Sequence, residues 1–164
     1  MARNKMRVGI GYDAHPLTPG RRLVLGGIDI PFDKGLAGWS DADVLTHAII
    51  DALLGAAALG DIGGHFPPGE PHYRDISSLT MLERVNGELA EHDWQVSNID
   101  ATIVAESPRL EDFINMMRRR LSDTLGIAPS QISVKASTSN GLGFIGRGEG
   151  IAAWAVAIIK DISD

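Results

Sequence analysis

Apolar and polar positions alternate near the start of the chain, where Met6, Val8, Ile10 and Tyr12 interleave with Arg7, Gly9, Gly11 and Asp13. A period of two predicts a first strand. Asp13 and His15 share a parity, so both project from one side while the extended geometry lasts, and Pro16 is expected to end it. Leu23 to Leu25 and Ile28 to Ile30 flank Gly26-Gly27, a two-residue hairpin signal. The period then changes. Val44, Ala48 and Ala52, with Leu45, Ile49 and Leu53, form the apolar stripe of a helix, and Asp43, His47 and Asp51 follow one another at steps of four beside it. Ser40 is the expected N-cap, with Asp41 and Asp43 in the first turn, where carboxylates oppose the positive end of the helix dipole. The exit runs through Gly60, Gly63 and Gly64, and a proline-rich loop of the mobile kind covers 66–74.

A second helix is expected over 75–91, with Leu79, Leu82, Val85 and Leu89 on one stripe and Gly87 in its interior. Ile99, Ala101 and Ile103 alternate into another strand. Ser107-Pro108 reads as an N-cap with proline at the first helical position. The third helix would carry Leu110, Phe113 or Ile114, Met117, Leu121 and Leu125, end at Gly126, and turn Arg118, Arg119 and Arg120 to solvent. Ile132, Val134 and Ala136 form a strand leading into the glycine-rich SNGLGFIGRGEG. The run 151–159 is apolar without alternation, as in a strand buried on both faces. No repeat or linker is visible. The pattern predicts one α/β (α+β) domain over 1–164, a single mixed sheet with helices packed on it.

Composition narrows the function. With 44% hydrophobic and 22% charged residues the chain is of ordinary globular type, and no segment approaches the roughly 20 apolar residues of a membrane span. The basic MARNKMR is followed by VGIGYDAH, too short and broken for a signal-peptide core, so a cytoplasmic location is expected. The absence of cysteine excludes disulfides, thiolate zinc sites and cysteine nucleophiles. A net charge of -6 argues against nucleic acid but not against a phosphorylated small molecule, since a metal and a few amides neutralise phosphate locally.

Asp13 and His15 on a strand and His47 on a helix supply one carboxylate and two imidazoles, a catalytic-type zinc set with a fourth position left open. The competing reading makes His47 a structural residue paired with Asp43 or Asp51 one turn away. Asp51 is also a candidate for orienting a ligating imidazole. The segment 140–150 lacks the Gly-Lys-Ser/Thr of a P-loop and the helix of a dinucleotide fingerprint, so it is either a tight loop or a phosphate cradle, with the hydroxyls of Ser137, Thr138 and Ser139 just before it. Asp61 either bonds sugar hydroxyls or completes a turn. No nucleophile elbow is present, which suits phosphoryl transfer by positioning and charge neutralisation.

GYDAHPL, SDADVLTHAIIDALLGAAALGDIGGHFP and LGFIGRGEGIA, in that order, strongly resemble the 2-C-methyl-D-erythritol 2,4-cyclodiphosphate synthase family of the non-mevalonate isoprenoid pathway, across essentially the whole chain. The resemblance implies cyclisation of a cytidine diphosphate ester of methylerythritol 2-phosphate with loss of CMP, the substrate's own 2-phosphate attacking its β-phosphorus. It implies a zinc ion on Asp13, His15 and His47, with Thr138 holding the diphosphate. Asp61, Ile62 and Gly63 would meet the erythritol hydroxyls. Ala14, Ser40, Phe66, Ser139 and Asn140 would complete the substrate-binding set. Ala105, Pro108, Arg109, Leu110 and Ser137 would cradle the cytidine. It further implies a homotrimer with sites between subunits, and a central channel lined by Tyr12, Phe144, Arg147 and Glu149, proposed to take an isoprenoid diphosphate. Trp39 stands where the family usually has a phosphate-positioning histidine, with Thr138 the other expected catalytic position. An indole is one neutral donor, and it can pack over the substrate and close the loop. Asn140 replaces a glutamate that binds a second divalent cation, so magnesium or manganese would be held mainly by the substrate diphosphate. Pro68 and Glu70 likewise replace more usual aspartates. The alternatives are a zinc-dependent phosphohydrolase and a non-catalytic protein that binds cytidine nucleotides or isoprenoids.

Overall fold

The structure, a computed structural model, describes residues 5–163. Part of the basic N-terminal run, residues 1–4, lies outside them. Strands β1 (Met6–Pro19), β4 (Lys34–Leu36), β5 (Trp94–Val104), β6 (Ile132–Ser137) and β7 (Gly150–Asp161) form one five-stranded sheet in the order β4-β1-β7-β5-β6. Only the β5–β6 pair is parallel, so the sheet is mixed as expected. The hairpin β2 (Leu23–Leu25) and β3 (Ile28–Ile30) stands apart, turned by Gly26 and Gly27 at φ 57° and 71°, a left-handed pair that other residues rarely adopt. Helices α1 (Val44–Ala57), α3 (Ser78–Glu91) and α4 (Ile114–Leu125) cover one face of the main sheet, and single turns α2 (Ile62–His65) and α5 (Gly143–Gly146) fill loops. Among the described residues no helix is long and apolar enough to cross a membrane.

The core lies between this sheet and α1, of which every residue except Asp51 and Gly55 is buried. On β1 it is the glycine parity that faces the helix. A Cβ on Gly9 would fall 2.0 Å from the Ala52 carbonyl oxygen, and one on Gly11 would fall 1.9 Å from that of Ala48. Helix backbone thus lies directly on strand backbone. Met6, Val8, Ile10 and Tyr12 consequently point away from the core, Ile10 remaining 70% exposed, and Tyr12 packs on Trp154 of β7 with ring centroids 4.7 Å apart.

Several expectations need correction. Pro16 does not end β1, because its missing N–H falls where only an acceptor is needed: its carbonyl takes the Ala37 N–H at 2.9 Å, and Leu17 to Pro19 go on to pair with β4. Strand β7 is not buried on both faces in the single chain, since Trp154 and Val156 are exposed beside the open face of β1. Ser107-Pro108, joined by a cis peptide bond, does not open a helix. Ala105 donates its N–H to the Ser137 carbonyl at 2.9 Å, prolonging the β5–β6 pairing into a loop, and helix resumes only at Glu111. The helix expected from residue 75 begins at Ser78, after Asp75 at φ 55°. Arg118, meanwhile, is not simply solvated: its guanidinium donates to the carbonyls of Ile132 and Pro129 and so anchors the start of β6.

The N-cap of α1 is Asp43, not Ser40. Its buried carboxylate accepts the Thr46 N–H and hydroxyl and the N–H groups of Gly26 and Gly27, all between 2.7 and 3.1 Å, so one side chain ties the helix start to the hairpin turn. Burial and the nearby Asp41 push its pKa up, and these bonds oppose the shift. Asp43→Ala strands three amides, two of them buried, and thermal unfolding should show a loss of about 3 kcal/mol.

Candidate active site

Residues Asp13 and His15 lie on the same side of β1 as Gly9 and Gly11, the side against α1. Two strand residues advance about 6.6 Å and one helical turn of four about 6 Å. Gly9 meets α1 at Ala52 and Ala56, and Gly11 meets it at Ala48 and Ala52. The next step along β1 therefore brings Asp13 level with the first turn of α1, where His47 stands. Asp13 Oδ2 lies 2.9 Å from His15 Nε2 and 2.9 Å from His47 Nδ1, and the two ring nitrogens are 3.3 Å apart.

These atoms suit a metal ion. All three donors lie within 4.8 Å of one another. Burial favours the neutral acid at Asp13, but the bonds and charges of both imidazoles outweigh it and hold the carboxyl well below the usual range. The Ala37 carbonyl, 2.8 Å from His15 Nδ1, can only accept, so Nδ1 carries a proton and Nε2 is left as a ligand atom. Burial works against protonating His15, and Asp13 more than compensates, raising its pKa. His47 presents Nδ1 to the cluster, while its Nε2 is turned away, toward Ser78 Oγ at 2.8 Å and Ser40 Oγ at 3.2 Å. Ser40, though not the cap, therefore stays next to a ligand. Neither Asp43 nor Asp51 pairs with His47. Asp51, whose pKa burial raises, accepts the Ile62 N–H at 2.8 Å and fixes the helix exit.

The triad forms one wall of a pocket of about 210 Å³ whose other walls include Trp39, Ile62, Gly63 and Phe66. The Trp39 indole N–H donates to the Glu70 carbonyl at 3.1 Å, and the Trp39 carbonyl accepts the Asp75 N–H at 2.9 Å. Its one polar donor is thus engaged by the 66–75 loop, which it clasps beside the triad. Asp61 caps α2 through the Gly64 N–H at 2.9 Å, the turn-completing role, and stays exposed.

A second pocket, of about 380 Å³, collects Ala105, Pro108, Arg109 and Leu110 with Ser137 and Thr138. Glu106 holds the two segments together by accepting the Gly141 N–H at 2.8 Å. Thr138 Oγ1 accepts the Asn140 N–H at 3.2 Å and lies 3.4 Å from Asn140 Oδ1, in a turn that puts Asn140 at φ 54°. Ser139 donates to the Leu142 carbonyl. The glycine-rich segment forms a tight connection holding α5. Phe144 lines a shallow pocket with Ala14, His15 and Gly150, and Arg147 pairs with Glu149 at 2.8 Å on the surface.

A family model described as the YgbB family matches residues 6–160, spanning both pockets. The chain belongs to the YgbB family. The curated protein 2-C-methyl-D-erythritol 2,4-cyclodiphosphate synthase of Dehalococcoides mccartyi is 58% identical over 156 residues, which are 95% of this chain and 99% of that protein. The synthase of the same name from Moorella thermoacetica is also 58% identical, covering 95% of this chain and 96% of its own. Among solved structures, the IspF–CDP complex of Plasmodium falciparum superposes with a TM-score of 0.85 at 29% identity, over 99% of this chain and 100% of that one. The bifunctional IspDF of Campylobacter jejuni superposes at 0.94 with 37% identity over 97% of this chain, which spans 43% of that longer protein.

Within this YgbB-family fold most of the expected site residues fall into two groups, while Ala14, Asp61, Ser139, Asn140, Phe144 and Arg147 line neither pocket. Asp13, His15, Trp39, Ser40, His47, Ile62, Gly63 and Phe66 gather around the triad, and the residues at 105–110 and 137–138 gather elsewhere. No residue lines both pockets among those described. Sequence reasoning missed Ser78, which touches His47, and Tyr73, Ile76 and Met81, which help line the first pocket. Ser78 shows in the sequence only as one of two serines at a helix start, a capping signal, and nothing there points across the fold to a ligand.

Proposed function

We propose that this chain is an enzyme that converts 4-diphosphocytidyl-2-C-methyl-D-erythritol 2-phosphate to 2-C-methyl-D-erythritol 2,4-cyclodiphosphate and CMP. The observation that carries this reading is the convergence of Asp13, His15 and His47 on one pocket wall, in a chain 58% identical to synthases of that name over nearly its full length. In the reaction, an oxygen of the substrate's 2-phosphate forms a bond to the β-phosphorus. The bond from that phosphorus to the bridging oxygen breaks, and CMP leaves with the electron pair. No protein nucleophile is needed. A zinc ion held by the three side chains would act as a Lewis acid on the diphosphate.

The protein's own part is positioning. Ile62, Gly63 and Phe66 shape the erythritol end, with Asp61 at the mouth and Trp39 holding the 66–75 loop against it. Ala14 and Ser40 border the triad. Thr138, with Ser139 and Asn140, offers hydroxyl and amide groups to the diphosphate, and a second divalent cation, magnesium or manganese, would be held mainly by the substrate. Ala105, Pro108, Arg109, Leu110 and Ser137 take the cytidine, a class of ligand that the CDP complex of the Plasmodium falciparum relative also binds.

We further propose that the chain works as a homotrimer in the cytoplasm. A metal pocket of about 210 Å³ is small for the whole substrate, and the cytidine pocket shares no lining residue with it. A neighbour that brings its second pocket to this chain's first completes the site. The open apolar face of β1 and β7 is of the kind that a subunit contact covers. Phe144, Arg147 and Glu149 would then approach the axis, where an isoprenoid diphosphate is the proposed ligand.

Phosphorus NMR of the protein with the cytidine diphosphate substrate, zinc and magnesium is the test. A cyclic diphosphate with stoichiometric CMP is expected. Release of inorganic phosphate would favour a phosphohydrolase, and nucleotide binding without turnover would favour a binding protein.

A further inference from the structure

The hydroxyl of Ser78 lies between two partners. On one side is the Asp41 carboxylate, which accepts the Ser78 hydroxyl, the Ser78 N–H at 2.9 Å and the Asp43 N–H at 3.1 Å. On the other is His47 Nε2, at 2.8 Å. Serine has one proton to give. Three donors converge on Asp41, so the carboxylate is the acceptor and takes that proton. The lone pairs of Ser78 Oγ then face His47 Nε2, which must donate. Ser40 Oγ accepts the Ala42 N–H at 3.2 Å and lies 3.2 Å from the same nitrogen; its own proton is not committed, so it is Ser78 that sets the direction.

A ring with its proton on Nε2 has its lone pair on Nδ1, the atom aimed at Asp13 and His15. We propose that Ser78, oriented by Asp41, is a positioning residue that fixes His47 as an Nδ1 metal ligand. Ser78 is the first residue of α3 and is fully buried, so the relay Asp41–Ser78–His47 couples the start of α3 to the triad through direct side-chain contacts. The inference rests on the metal-site reading above. It adds that ligand geometry is set in part by a residue, Ser78, outside the motif that carries the ligand.

The test uses the full-length protein loaded with zinc, read by nitrogen NMR of the histidine rings and by competition for the metal. In the wild type, His47 should show a metal-bound Nδ1 and a protonated, slowly exchanging Nε2. Ser78→Ala leaves the backbone N–H of residue 78 for Asp41 to cap, so circular dichroism should be unchanged. Zinc dissociation should rise by about 10- to 100-fold, the range typical when an outer partner of a ligand is removed, and the slowly exchanging Nε2–H should disappear. An affinity within about twofold of wild type in a folded Ser78→Ala protein overturns the inference, against that expected range. The wild-type spectrum tests it without any variant, since zinc on Nε2 with the proton on Nδ1 also overturns it. Wild type that takes up no zinc at His47 is a different result and sinks the metal reading itself.

Discussion

Replacing His47 with alanine is expected to abolish zinc binding and to cut cyclodiphosphate formation by at least about 1000-fold, roughly 4 kcal/mol of barrier, while the chain still folds. The loss is large because a tetrahedral catalytic site keeps three protein ligands, and removing one leaves a carboxylate and a single imidazole. The fold survives because α1 is held by Leu45, Ile49, Leu53 and its contact with β1, none of which involves the ring. The two serines facing His47 Nε2 also keep other partners, Asp41 for Ser78 and the Ala42 N–H for Ser40. Metal content by elemental analysis, CMP release and thermal unfolding should be measured on one preparation. Retained turnover in a metal-free His47→Ala protein would remove the triad from the mechanism.

How much of this was legible in the sequence depends on whether a signal was local. The triad was legible because strand parity pairs Asp13 with His15, and because the motif around His47 carries a family resemblance. The hairpin was legible because Gly26-Gly27 leaves the chain few other turns. The cap of α1 was not, since Ser40, Asp41 and Asp43 are all good capping residues. The choice fell to Asp43 through the amides of Gly26 and Gly27, 17 and 16 residues away. The other two are engaged elsewhere, Asp41 at the start of α3 and Ser40 against His47. Ser107-Pro108 misled for the same reason, a local capping signal overruled by the β5–β6 pairing.

The face of β1 was the other hidden feature. Alternation announces a strand but not which parity is inside, and here the glycines are inside while Met6, Val8, Ile10 and Tyr12 are out. An apolar parity facing solvent is costly for a lone chain, which is why the same four positions support the proposed subunit contact.

Gly11→Ala is the second large expected effect, and it tests that arrangement directly. The new methyl group would sit 1.9 Å from the Ala48 carbonyl oxygen and 2.7 Å from the Ala52 amide nitrogen. Both are helix backbone, so no rotamer change relieves the clash, and α1 would have to move off the sheet by about 1 Å or more to restore normal packing distances. Overpacking of this kind should cost at least about 4 kcal/mol, near the limit of what a marginally stable domain tolerates, and denaturant unfolding or loss of soluble protein would register it. Gly87→Ala is the matched control. It adds the same methyl inside α3 with nothing within 4 Å, and should stabilise by about 0.5–1 kcal/mol. The clash also bears on chemistry, because Ala48 is the neighbour of His47. Metal ligands tolerate errors of about 0.2 Å, so a shift of α1 five times larger would separate His47 from Asp13 even in molecules that still fold. A Gly11→Ala protein with wild-type stability and zinc affinity would mean that helix and strand are not in backbone contact, and that the glycine parity does not set the height of the triad.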